Sequence, residues 1–278
     1  MIPMKKSLLL LASLALLWGC GNKKPNNTTE PQPKPFSVDT YKVEDRHLLA
    51  TVGEGEETYE EYASFNCEID IPVTDNQALR DSICYWFAQN LGSIYDGAPS
   101  DVKAMVNFYK DWALETDDDY EEAEGFDLGY IITMQEATDH YVTYRFYDFI
   151  ETSSSPRANA EETYVTFDRN TGKRFTRNMI KVDENLKQLV MNALFEQFFS
   201  DWEDDILPDL LFFDPEDEED YGFFLPQYDD PWIYNDYVYF GYSEHEIADR
   251  CTGQPQCGLP YNVMEPYLTE EGKTYFNF

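Results

Sequence analysis

Within thirty residues the hydrophobic pattern changes its period, and that change limits the folds open to this chain. Phe65, Cys67, Ile69 and Ile71 alternate with polar residues, so one face of a strand is apolar and Pro72 closes it. Leu79, Ile83, Phe87 and Leu91 then recur at four-residue spacing, which predicts a helix capped by Asp75 and ended by Gly92. A strand that feeds a helix directly, with no repeat of that unit downstream, argues against an alternating parallel sheet. A second helix is predicted after Pro99-Ser100, with Val102, Met105, Val106, Tyr109 and Ala113 facing inward. Asp117, Asp118 and Asp119 oppose the negative end of its dipole, so a loop is expected there.

Strand-like segments follow at Leu128 to Met134, Tyr141 to Ile150 and Thr163 to Phe167, rich in β-branched and aromatic residues and reading as an antiparallel meander. Asp168 to Gly172 supplies hairpin chemistry towards Lys173 to Thr176. A third helix carries Leu186, Leu189, Val190, Ala193, Leu194 and Phe198 on its inner side. The predicted class is α+β: antiparallel sheets packed with about three to four helices, in two intertwined subdomains.

The N-terminus sets the compartment. Lys5 and Lys6 precede an apolar run, Leu8 to Leu17, that ends in Leu17-Trp18-Gly19-Cys20, with Met4 as an alternative start. About ten residues cannot cross roughly 30 Å of hydrocarbon as a helix, so the run reads as a lipoprotein signal peptide over 1–19. Cys20 is the expected lipidation site. Residues 20–35 are polar and proline-rich, a tether reaching up to roughly 45 Å when extended. No acidic residue stands directly behind Cys20 in Gly21-Asn22-Lys23-Lys24, which favours an outer-membrane anchor facing the periplasm.

Removing residues 1–19 with their two lysines takes the formal charge from −34 to −36. Such a surface repels nucleic acid and anionic headgroups, so lipid on Cys20 must hold the protein at a membrane. It attracts basic proteins. With 42% hydrophobic and 16% aromatic residues, the chain can still bury a core. Four further cysteines face an oxidising compartment and allow three pairings. Cys251 with Cys257 is the economical local choice, leaving Cys67 with Cys84; free buried thiols are the alternative.

The C-terminal third resembles the RsiV-like domain of bacterial envelope proteins, which often follows a deacetylase-PdaC-type domain. The resemblance rests on Tyr237 to Tyr242, His245-Glu246-Ile247-Ala248, Gly253, and Leu259-Pro260-Tyr261 through Pro266-Tyr267-Leu268. His245 stands where the family has tyrosine. Tyr164 to Gly172 is similar to the family's hairpin, and Ile69 to Leu91 to its first strand and helix. Where relatives carry a Gly-Gly-Ala-His segment, this chain has Ser153 to Ala160. The resemblance implies a deacetylase-PdaC-type subdomain over 36–180, an RsiV-like subdomain over 181–278, and envelope binding or sensing rather than catalysis.

Few residues point to chemistry. No Gly-x-Ser-x-Gly occurs and there are three histidines, which leaves serine hydrolysis without its elements. His245-Glu246 resembles a zincin start, but Asp249 occupies the place of the second histidine, so no metal site is expected. Paired acids, as in glycosidases, are inevitable among 54 carboxylates. The spacing of a calcium loop is missing, and no cofactor is implied. The candidate binding residues lie in an acidic, aromatic stretch: Trp202, Phe212, Phe213, Asp217, Glu218, Glu219 and Tyr221, with His245 and Glu246 beyond it. A solvated loop whose aromatics fold back onto a sheet is the plainer alternative. The expectation is a non-enzymatic envelope ectodomain binding a basic protein, such as a lysozyme-like muramidase, or peptidoglycan. The alternatives are a cell-wall glycan hydrolase, a deacetylase-associated enzyme and a passive outer-membrane lipoprotein.

Overall fold

A five-stranded sheet in the order β1-β2-β3-β4-β5 dominates the N-terminal part of the computed structural model, which describes residues 35–53, 58–115, 125–202, 210–212 and 225–276. β1 (Ser37–Val52) pairs antiparallel with β2 (Tyr59–Val73), and β2 pairs parallel with β3 (Phe126–Ala137). The meander continues antiparallel through β4 (Tyr141–Thr152) and β5 (Ser155–Asp168). A parallel neighbour requires a crossover, and α1 (Gln77–Asn90) and α2 (Val102–Leu114) form it, both packed on one face of the sheet. Phe65, Cys67 and Ile69 meet Leu79, Ile83, Phe87 and Leu91 there, as the two periods predict.

Asn76, not Asp75, caps α1. Its Oδ1 accepts the Leu79 N–H at 3.3 Å, while its Nδ2 donates to the carbonyls of Arg169 and Asn170 at 2.8 Å each, so the same side chain ties the helix to the turn after β5. Gly92 follows with φ +118°, the left-handed stop expected of it. α2 is capped by Asp101 and ends at Leu114; the acidic run expected to form a loop lies outside the described residues. β1 was not expected from the pattern, because its Asp, Lys, Glu, Arg and His residues show little alternation. It is an edge strand that needs only one half-covered face.

α3 (Glu184–Gln197) starts at the Asp183 cap and covers a second, antiparallel sheet of β6 (Trp232–Tyr234), β7 (Tyr237–Gly241) and β8 (Gln256–Pro260). Leu186, Val190 and Leu194 pack with Ile233, Val238, Phe240, Cys257 and Leu259. α4 (Tyr261–Met264) and α5 (Glu270–Lys273) complete the C-terminus, which returns to the turn after β5: Lys181 N–H donates to Tyr267 O at 2.6 Å, and Phe175 packs against Tyr275. The fold is thus α+β, with two cores bound by the returning chain.

The sheets meet edge to face. The outer edge of β6 stands on β4 and β5, where the fully buried Thr143 and Thr166 receive it. Ile233 N–H donates to Thr166 Oγ1 at 2.8 Å, Thr143 Oγ1 donates to Ile233 O at 2.6 Å, and the two hydroxyls lie 2.8 Å apart. One arrangement satisfies every group: Thr166 donates to Thr143 and closes a circuit. Two glutamines bond to the edge strands β5 and β8. Gln254 exchanges both amide bonds with the Glu162 backbone on β5, and Gln197 does the same with Gly258 on β8.

The expected disulfides are not formed. Cys67, Cys84, Cys251 and Cys257 are free thiols. Cys257 points under α3, with Sγ 3.5 Å from Val190 O, whereas Cys251 sits on an exposed turn. Cys67 and Cys84 fill volume in the N-terminal core as small hydrophobes. Burial pushes the thiols of Cys67, Cys84 and Cys257 up to about 12, 11 and 12.

Candidate binding cleft

Alternation on β4 and β5 turns Val142, Tyr144, Phe146, Val165 and Phe167 towards the helices, which leaves Arg145, Tyr147, Phe149, Glu162 and Tyr164 on the opposite face. On the small sheet Ile233 and Val238 face α3, so Trp232, Tyr234, Tyr237 and Tyr239 face outward. The edge-to-face junction brings the two outer faces together. Tyr164 stacks on Trp232 at 4.6 Å and 8°, and Trp232 on Tyr239 at 5.5 Å and 13°. Tyr234 and Tyr237 extend the row, 6.4 and 6.1 Å from Tyr239, with 40% and 39% of their surface exposed.

Glycines let these rings lie flat. A Cβ on Gly241 would stand 2.8 Å from the Trp232 ring, and one on Gly258 would stand 2.7 Å from Tyr239. In the other direction Tyr164 O–H donates to Glu162 Oε1 at 2.6 Å, and Arg145 Nε donates to the same oxygen. The Arg145 guanidinium lies 5.1 Å from the Tyr147 ring centre, and Phe149 follows over Gly129. An aromatic band with one ion pair at its centre therefore crosses both sheets. It offers large, rigid contact area with few polar groups, a composition suited to recognition.

Beside the band, between β5 and the turn that leads into β6, lies a cavity of about 30 Å³ lined in part by Glu162, Tyr164, Asp229, Asp230, Trp232 and Gln254. Burial holds the Asp229 carboxyl above its usual range, and Glu246, Glu161 and Asp230 add to the rise; Ser243 Oγ, which donates to Asp229 Oδ2 at 3.1 Å, offsets part of it. Ser243 and Glu246 form a reciprocal turn: Ser243 N–H donates to Glu246 Oε2 at 2.9 Å, and Glu246 N–H donates to Ser243 O at 3.1 Å. Gln227 N–H donates to the other oxygen of Glu246.

The residues expected from the sequence are only partly gathered. Phe212, 54% exposed, stacks on exposed His245 at 5.9 Å and 5°, and His245 adopts φ +62°. Glu246 faces the cavity's carboxylates, while Trp202 is partly buried against the C-terminal core. Phe213, Asp217, Glu218, Glu219 and Tyr221 lie outside the described residues, as do Cys20, the signal segment and most of the tether. Among the described residues no group of three or more His, Cys, Asp or Glu could hold a metal, and no helix is long and apolar enough to cross a membrane. The aromatic band was missed. Its signal was available as Tyr, Phe and Trp at the nominally outward positions 147, 149, 164, 232, 234, 237 and 239, where a solvated strand face would carry polar residues.

No family model and no curated protein matches the chain. Solved structures share its fold, two DUF3298-family proteins among them. A DUF3298-family protein from Bacteroides fragilis superposes with a TM-score of 0.57 at 15% identity, over 85% of this chain and 96% of its own. A DUF3298-family protein from Pseudomonas aeruginosa superposes with a TM-score of 0.53 at 13% identity, over 86% and 96%. At these identities the likeness concerns fold alone, and both proteins are described by their family without an activity.

Proposed function

We propose that this protein is a lipid-anchored ectodomain of the bacterial envelope, held through Cys20 at the outer membrane and facing the periplasm, that binds a basic envelope protein and catalyses no reaction. In this reading an RsiV-like half follows a deacetylase-PdaC-type half. The observation that carries it is the aromatic band flanked by half-buried carboxylates: every charged neighbour that shifts Asp229 is itself negative, so a cationic partner would relieve the repulsion. The formal charge of −36 left once residues 1–19 are removed steers such a partner from a distance, and the rings of Tyr234, Tyr237 and Tyr239 supply apolar and cation-π area on contact.

The test is capture from a panel of basic muramidases on the immobilised protein at low and high salt. Retention at low salt, release at high salt and loss of retention in Tyr237→Ala/Tyr239→Ala is the expected result, because exposed charges are screened over about 8 Å at physiological ionic strength. If no basic protein is retained at low salt, the reading falls. The exposed Tyr234 and Tyr237 rings also favour a second reading, stacking on peptidoglycan sugars, and salt-independent sedimentation with purified sacculi would select it.

A further inference from the structure

We propose that the cavity between β5 and the turn leading into β6 is a receptor for one lysine ammonium of the bound partner. The inference rests on the docking reading and names the group that the cleft admits. Three observations converge on it.

The first is size. About 30 Å³ is roughly two to three times the 10–15 Å³ that admits one water-sized group, which suits an ammonium head and is small for the planar fork of a guanidinium. The second is the charge balance of the lining. Glu162 is paired with Arg145, and Asp230 accepts the Arg177 backbone N–H at 3.0 Å and faces Arg174, whose own guanidinium donates to Gln89. Arg177 reaches Asp229 only at its carbonyl oxygen, at 3.1 Å. Among the described residues, the Asp229 carboxylate takes a single hydroxyl, from Ser243, and the charges acting on it from Glu246, Glu161 and Asp230 are all negative. One positive charge is what this arrangement lacks.

The third is the wall. Trp232 and Tyr164 stack face to face at its edge, so the methylene stem of a lysine would lie along apolar surface while its head reached the carboxylate. Gln254 lines the same cavity with its amide fixed by two bonds to the Glu162 backbone, 2.7 and 3.3 Å, so it cannot swing in to fill the space. A divalent metal is a poor occupant, since no group of three or more ligating side chains exists among the described residues and hard cations need six or more oxygens.

The experiment is an amide NMR titration of the purified protein with Nα-acetyl-lysine methylamide, its arginine counterpart and its norleucine counterpart. Saturable shifts of the Trp232 indole and Gln254 amide with the lysine probe, weaker ones with arginine and none with norleucine are expected. Asp229→Asn, nearly isosteric, should weaken lysine binding at least about tenfold, since a charge-assisted hydrogen bond is removed. Asp39→Asn, on exposed β1, changes the net charge equally and should leave binding unaltered. Equal binding of norleucine, unchanged affinity in Asp229→Asn, or no binding by the wild-type protein overturns the inference. Capture of a muramidase that is indifferent to Asp229→Asn would sink the pocket and spare the docking reading; lysine binding without any captured basic protein would do the reverse.

Discussion

Replacing Thr166 by valine tests the joint that creates the cleft. The two side chains have nearly the same shape, so packing is kept while the hydroxyl that accepts the Ile233 N–H at 2.8 Å is lost. Thr166 is fully buried. An orphaned buried donor costs about 1–3 kcal/mol. For a unit of this size, each kcal/mol lowers Tm by roughly 2–4 °C, so a fall of about 2–12 °C is expected. Thr143→Val should cost a similar amount, through the Ile233 carbonyl it serves at 2.6 Å. Because each hydroxyl depends on the other for its second bond, opening the circuit once disables part of the rest, and the double variant should lose less than the sum of the singles. Thr40→Val is the control: its 2.6 Å bond to Asp70 is exposed and should be worth less than about 0.5 kcal/mol. Urea unfolding of the four variants, with Trp fluorescence and far-UV circular dichroism as independent probes, gives the comparison. A Thr166→Val variant within about 0.5 kcal/mol of wild type would refute the circuit as the fastening of the two sheets.

Further expectations concern single residues. Asp148 lies half-buried beside Glu161, and burial followed by that charge raises its carboxyl to about 6. A raised carboxyl favours the folded state when protonated, so its stabilising contribution is complete below about 3.8 and lost as pH rises through 6. Asp148→Asn should therefore raise stability at pH 7.5 by about 1 kcal/mol after allowance for solvent screening, and flatten Tm against pH between 4 and 6; an unchanged profile would discount the burial. Gly172→Ala should cost more than about 2 kcal/mol in thermal unfolding, since φ is +72° and the new Cβ would stand 2.6 Å from the Ala78 carbonyl oxygen, a backbone atom that cannot yield; a smaller loss would show the turn to be adaptable. Gly241→Ala should displace the Trp232 ring and change its near-UV circular dichroism, and an unaltered spectrum would place the ring elsewhere. Native alkylation followed by mass spectrometry should label Cys251 and, among the described cysteines, leave Cys67, Cys84 and Cys257 to react only on unfolding; recovery of a Cys251–Cys257 or Cys67–Cys84 bridge would restore the pairing expected from the sequence.

Local rules carried much of the fold. Period-two alternation at Phe65 to Ile71, four-residue spacing at Leu79 to Leu91, the glycine stop at Gly92 and the hairpin chemistry after Asp168 each depend on neighbours along the chain, and each appears where expected. β1 escaped because an edge strand rich in charge has almost no burial to advertise. The cap of α1 moved one residue, from Asp75 to Asn76, because Asn76 also serves two carbonyls about ninety residues away. The cysteines misled for a related reason: Cys251 and Cys257 stand only six positions apart, but strand β8 turns one into the core and the turn leaves the other in solvent.

The class of the fold, the placement of its long helices and the acidity of its surface were legible in the chain, since these follow from pattern and composition. The aromatic band and the cavity beside it exist only in three dimensions. Tyr147, Tyr164, Trp232 and Tyr239 read singly as ordinary strand aromatics, and Asp229 as one acid among 54. They become a cleft because two hydroxyls accept the edge of one sheet on the face of another, a contact between residues 67 and 90 positions apart that no local pattern encodes.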